Sequence, residues 1–357
     1  MRAILVTEYG PPEVLRPADV PDPRPGPGEV LVDVAAAGVN FIDVYQRSGA
    51  YPVPLPYVAG VEAAGTVTAV GPGVSGDEPG TGDRVGGNEL RADDRGGGNE
   101  LRVDDRGGGA GFRVGDRVGW VNLPGAYAER AVVPADRLVP IPDGLDLTAA
   151  ASVLLQGMTA HYLTHDTHRV RPGDTVLVHA AAGGMGLMLT RLVKLLGGHV
   201  IGTVSTAAKQ RLAEEAGADH VIRYRDADVA ARVRELTAGR GVAAVYDGVG
   251  GPTFEASLAS LRPRGVLALY GQAGGPVPPV DPQRLNAAGS VFLTRPNLSH
   301  HIADPAELRA RSGDLFRWLA GGKLEVCVRR DLPLTDAHVA HQMLETGSSA
   351  GKLVLVL

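Results

Sequence analysis

The stretch TVLVHAAAGGMGLMLTRLVKLLG, residues 175–197, decides the fold. It opens as a compact apolar run of strand type, continues as a turn of alanines and glycines, and ends with apolar residues at helical spacing. Against the dinucleotide-binding pattern G-x-G-x-x-G, the glycine positions fall on Ala181, Gly183 and Gly186, with Gly184 and Met185 between them. Small residues are required there because the backbone must approach a pyrophosphate closely. The helix N-terminus then offers it unpaired N–H groups and a partial positive charge. The competing reading is a purely structural glycine turn; the strand–turn–helix setting favours the cofactor.

Working outward, the same grammar repeats. A helix over 187–196 leads to HVIGTV (199–204), a helix over 207–216 to HVIRY (220–224), and a helix over 229–236 to VAAVYD (242–247). Another helix precedes VLALYG (266–271), and SVFLT (290–294) follows. Continuous apolar strands alternating with helices predict an α/β doubly wound parallel sheet, a Rossmann domain over 151–294. Before it, EVLVDVAAAGVN, AAGTVTAVGPGV, DRVGWV and AYAERAVVP are short apolar runs cut by glycine and proline, the pattern of a strand-rich, partly open barrel. A helix near 306–319 and the closing KLVLVL are expected to return to this first unit. The cofactor domain is thus inserted into a domain made of 1–150 and 295–357.

The length of 357 residues suits two cores better than one. A formal charge of -5, from 40 acidic and 35 basic residues, argues against a broad nucleic-acid or anionic-membrane surface. One cysteine, Cys327, excludes an intramolecular disulfide and a cysteine-rich zinc cluster. No apolar run reaches the ~18 residues of a membrane span, and the N-terminus has no leader pattern, so a soluble cytoplasmic protein is expected.

Which dinucleotide is bound can be argued from the end of the second strand. NAD sites usually carry an Asp or Glu there for the ribose hydroxyls. This chain has Thr203, Ser205, Thr206 and then Lys209. Hydroxyl donors and an ammonium suit a 2′-phosphate, so NADPH is expected; the competing reading makes Lys209 an ordinary solvated helix residue.

Together, GVNFIDVYQRSGAYP (38–52), GVEAAGTVTAVGPGV (60–74), GDRVGW, HAAAGGMG, YDGVGG and LTRPNL resemble the zinc-independent quinone oxidoreductase branch, zeta-crystallin-like, of the medium-chain dehydrogenase/reductase superfamily. The resemblance implies a GroES-like barrel as catalytic domain beside the Rossmann domain, and a homodimer paired through edge strands around SVFLT. It places Asn40 and Tyr45 beside the nicotinamide and Tyr51 at the substrate mouth. Tyr270 and Gln272 would line the cofactor, Thr159 would lie near its nicotinamide end, Lys209 and Tyr224 at the adenosine phosphate, and Lys352 close to the dinucleotide. Gly248, Thr294 and Arg295 complete the cofactor set. Tyr51 could also be a packed loop aromatic, and Arg295 either faces the cofactor or pairs with a carboxylate.

Zinc-dependent relatives carry a cysteine where this chain has Asn40 and a histidine where it has Val61. Neither residue supplies a zinc ligand, so no metal is expected. His161, His165 and His168, and the pair His300 and His301, lack a third convergent ligand and read as ordinary histidines. Without a metal the substrate must already be electrophilic: a quinone, or an activated C=C bond as in an enone or enoyl acid. A non-enzymatic NADPH-binding role is the third possibility. A reductase of anionic acids needs a basic residue near Tyr45, and that segment offers only Arg47. Asn40 can donate and accept hydrogen bonds, and Tyr45 can donate one to a developing oxyanion.

Finally, DRVGGNELRAD, DRGGGNELRVD, DRGGGAGFRVG and DRVGW begin at Asp83, Asp94, Asp105 and Asp116, eleven residues apart. Removing 83–115 rejoins the chain at GDRV, which points to tandem duplication. Glycine-rich charged units bury too little apolar area to offset their ordering entropy, so 83–115 is expected to be a mobile surface loop, with metal or partner binding the alternative.

Overall fold

The computed structural model describes residues 1–74, 111–326, 328–348 and 350–357. The reading of the repeat as a mobile loop lies outside the described residues except for 111–115. There Phe112 is buried, 7% exposed, among barrel core residues that include Val67, Val118 and Trp120. The last repeat unit therefore ends by packing into the core.

The six cofactor-domain strands are all parallel, in the order His220–Arg223, His199–Val204, Thr175–Val178, Val242–Asp247, Leu261–Leu269, Phe292–Thr294. Val242–Asp247 is buried at every position, as a strand covered by helices on both faces must be. Growth of the sheet reverses between Thr175–Val178 and Val242–Asp247, and the crevice beyond the carboxyl ends of such strands is where ligands bind.

The barrel sheet is organised around Glu29–Val39, antiparallel to Glu62–Val70, Arg130–Pro134 and Lys352–Val356. Its first half alternates between buried and half-buried positions, as one solvated face demands; Ala36 to Val39 are buried throughout. The change comes where helix Leu147–Tyr162 covers the second face. The C-terminal strand Lys352–Val356 lies between Glu29–Val39 and the parallel strand Val328–Pro333.

Helix Leu147–Tyr162, capped by Asp146 accepting from the Ala149 N–H, joins the two domains. It packs on the barrel, on helix Gly184–Leu195 and on helix Pro305–Ala320. Eleven of its residues are buried, from Ala150 to Tyr162, which a helix apolar on nearly all sides requires. Sequence patterning does not isolate this helix, and the boundary placed after residue 150 falls in its first turn. One hydrophobic core runs through it from Ala36 and Ala64 of the barrel to Val176 and Leu192 of the cofactor domain.

Candidate active site

The glycine turn is built as its residues demand. Ala180 is at a positive φ of 51°, and Gly183 stands at the N-terminus of helix Gly184–Leu195. A Cβ on Gly186 would come within 2.3 Å of the Ala180 carbonyl oxygen and 2.6 Å of the Ala181 Cα, so only glycine lets the helix start so close to the strand. Gly351, just before the C-terminal strand, donates its N–H to the Ala182 oxygen at 3.3 Å, tying the barrel to this turn.

From the turn a cavity of about 500 Å3 extends both ways between the domains. Gly183, Gly184, Met185 and Gly186 form its middle wall. At one end stand Ser205, Lys209 and Tyr224, the tyrosine 49% exposed. Lys209 Nζ donates to the Gly347 oxygen at 2.8 Å. At the other end are Asn40, Tyr45, Tyr51, Thr159, Tyr270 and Arg295, with Gly248 beside them.

Five sequence-predicted residues do not line this cavity. Thr203 is buried, its hydroxyl 3.0 Å from Nδ1 of His179 inside the sheet domain. Strand alternation puts it on the face opposite its neighbour Val204, which lines the cavity. The Thr206 hydroxyl accepts from the Lys209 N–H at 3.2 Å and caps the following helix. Gln272 meets the site through its backbone, donating to the Tyr45 hydroxyl at 3.3 Å, and Thr294 ends the edge strand just before Arg295. Lys352 is 2% exposed and lies beneath the wall.

Lys352 there completes a cluster that sequence reading did not assemble. Its Nζ is 2.8 Å from Asn40 Oδ1 and 2.6 Å from Glu62 Oε2. Asn40 Nδ2 donates to Glu62 Oε2 at 2.7 Å and to the Gly38 oxygen at 3.3 Å, and Glu62 Oε1 accepts from the Leu155 N–H at 2.6 Å. Both amide donors of Asn40 are therefore engaged within the protein, leaving it no free donor for the cavity. A Cβ on Gly38 would lie 2.1 Å from the Glu62 carboxylate, which is why glycine stands there. The available signal for Glu62 was a single carboxylate in the apolar run GVEAAGTV.

A zinc ion does not fit this place. Val61 is buried and aliphatic, the Asn40 amide donates hydrogen bonds to Glu62 and the Gly38 oxygen, and the Glu62 carboxylate already holds an ammonium. Among the described residues no group of three or more His, Cys, Asp or Glu is arranged to hold a metal. His161 bonds Asp314 at 3.1 Å and stacks on His165 at 4.1 Å, while His168 lies 3.4 Å from Asp174 and His301 3.6 Å from Asp166.

Behind Asn40, the buried Asp43 carboxylate accepts from the Asn40 N–H at 2.8 Å and from the Tyr127 hydroxyl at 3.0 Å. Burial outweighs these bonds and pushes its pKa up to about 7. Tyr45, on the same short helix Phe41–Arg47, packs against Tyr51 with ring centroids 5.1 Å apart, and burial raises its phenol above the ordinary value. Tyr51 is thus joined to the site: its hydroxyl accepts from Arg295 Nη2 at 2.9 Å. Arg295 pairs with no carboxylate among the described residues. Arg47, the basic residue expected near Tyr45, is turned away; it is 1% exposed and bonds the Gly10 oxygen at 2.6 Å and Glu345 at 2.5 Å.

A barrel and a doubly wound sheet sharing a cleft over a glycine turn define a two-domain dehydrogenase/reductase. The family model for the alcohol dehydrogenase GroES-like domain matches residues 26–143, and that described as zinc-binding dehydrogenase matches 184–301. A quinone oxidoreductase of Pseudomonas aeruginosa is 40% identical over 357 residues, covering 99% of each chain. A 2-haloacrylate reductase of a Burkholderia species is 39% identical over 362 residues, covering 99% of this chain and 98% of that one. A mycobacterial protein solved in complex with NADPH superposes with a TM-score of 0.88 at 50% identity, over 100% of both chains. The chain belongs to the zinc-independent quinone oxidoreductase branch of the medium-chain dehydrogenase/reductase superfamily.

Proposed function

We propose that the protein is an NADPH-dependent quinone reductase. The carrying observation is one continuous cavity that runs from a lysine-marked end, past a glycine cradle, to a wall of phenols. Bound NADPH supplies a hydride, and the overall change is quinone plus NADPH plus a proton giving hydroquinone plus NADP⁺. The N–H groups of Gly184, Met185 and Gly186 would hold the pyrophosphate, with Ser205, Lys209 and Tyr224 at the 2′-phosphate and no carboxylate to repel it. Thr159, Gly248 and Tyr270 would flank the nicotinamide. Tyr45 is the residue best equipped to meet the acceptor. Its oxygen receives the Gln272 N–H, which leaves its own proton free to donate to the acceptor oxygen as charge develops there. Water completes protonation of the product, so the protein's task is alignment of two rings and exclusion of solvent.

Asn40 acts, on this reading, as a fixed acceptor anchoring Lys352 and not as a substrate donor. Among the described residues no helix is long and apolar enough to cross a membrane. We assign the protein to the cytoplasm, and to a homodimer paired through the edge strand Phe292–Thr294, whose Phe292 is 61% exposed. The decisive experiment is NADPH consumption with a panel of quinones and enones. Turnover with quinones is expected; tight NADPH binding with no consumption on any acceptor would leave only a binding role.

A further inference from the structure

The charge on the cavity wall is more specific than quinone reduction requires. Among the described residues that wall carries two cations, Lys209 and Arg295, and no carboxylate. Lys209 has a matching anion in the proposed 2′-phosphate. Arg295 stands at the opposite end, immediately after the edge strand Phe292–Thr294, and its one hydrogen bond is to the neutral Tyr51 hydroxyl at 2.9 Å. It forms no ion pair among the described residues. The neighbouring phenols of Tyr45 and Tyr162 offer no negative charge, since burial raises both above their ordinary value. The other polar residues lining the cavity near this end, Asn40, Asn122, Thr159 and Asn297, are likewise neutral.

A guanidinium facing a largely apolar cavity without a counter-charge is suited to an anionic ligand. Its planar donors match the two oxygens of a carboxylate, and charge-assisted bonds of this type are about twice as strong as neutral ones. The feature expected of a reductase of acids, a basic residue near Tyr45, is thus supplied by Arg295 across the domain cleft, because Arg47 is consumed by Glu345.

We infer that Arg295 makes this protein prefer hydride acceptors that carry an ionised carboxylate beside their conjugated system. The inference rests on the NADPH-dependent reduction proposed above. The hydride adds to the conjugated system and a solvent proton completes its reduction; the carboxylate is recognised and leaves unchanged.

The test compares a para-naphthoquinone bearing a propionate arm with its methyl ester, whose ring electronics are alike, with unsubstituted benzoquinone as reference. The acid should have the higher kcat/KM in the parent protein. That acid-to-ester ratio should fall about tenfold in Arg295→Gln, the lower range for a charge-assisted bond at an exposed residue, and should fall with added salt in the parent. A ratio at or below one in the parent, or one that neither the substitution nor salt changes, overturns the inference. If benzoquinone still consumes NADPH in that case, only the anion preference fails; if no acceptor does, the proposed function fails with it.

Discussion

Replacing Lys352 by methionine keeps most of the side-chain volume and removes the ammonium from between Asn40 Oδ1 and Glu62 Oε2, at 2.8 and 2.6 Å. Glu62 is 0% exposed and would keep two donors, the Leu155 N–H and Asn40 Nδ2. Breaking a buried ion pair by removing one partner costs about 3–5 kcal/mol. The two retained donors set the expectation at the lower end, about 3 kcal/mol. In the double variant Glu62→Gln/Lys352→Met no charge remains to be stranded. The loss then reduces to exchanged neutral hydrogen bonds of about 1 kcal/mol each, so it should be more stable than Lys352→Met alone by about 1–2 kcal/mol. Urea unfolding of the parent, both single variants and the double variant completes the cycle, with equal m-values as the check that each unfolds alike. Strict additivity, with the double variant the least stable of the set, would refute the view that Lys352 exists to neutralise Glu62.

Lys209→Ala should weaken NADPH about tenfold, an amount reduced because Lys209 already bonds Gly347, and change NADH less than about twofold; equal losses in titration would remove the phosphate assignment. Asp43 has a folded pKa near 7 against an ordinary 3.8, so the folded state holds the proton more tightly. Its stabilising effect is complete below the lower value and is lost as pH rises to about 7. Asp43→Asn should therefore gain thermal stability relative to the parent across that interval and hold a constant difference above it; a difference that shrinks with rising pH contradicts the assignment. Phe112→Ala should destabilise the protein by about 3 kcal/mol, the lower end for a buried phenylalanine. A change under about 1 kcal/mol would mean that this end of the repeat contributes nothing to the barrel.

Much of the cofactor side was legible because its signals are local. HAAAGGMG sits inside one strand–turn–helix unit, and the space around Gly186 is fixed by Ala180 and Ala181, a few residues away. Alternating apolar strands and helices likewise specify a parallel sheet. Position on a strand end was not enough for Thr203, however: a one-residue difference from its cavity-lining neighbour Val204 turned its hydroxyl to His179. The bounds of helix Leu147–Tyr162 and its place between the domains were not legible for a related reason. An element apolar on nearly all sides has little amphipathic period, and only its burial between the two domains explains it.

By itself, then, the sequence determined the two-domain fold and the glycine cradle, along with the residue types that favour a phosphorylated dinucleotide. Those depend on backbone sterics and side-chain periodicity within short segments. Tertiary structure alone decided which side chains meet. Lys352 reaches Glu62 across 290 residues because the C-terminal strand pairs with Glu29–Val39, and Arg295 reaches Tyr51 across 244 because the two domains close on one cleft. Short motifs named residues of the acceptor end, Asn40, Tyr45 and Tyr51 among them, but the contacts between those residues are a product of packing.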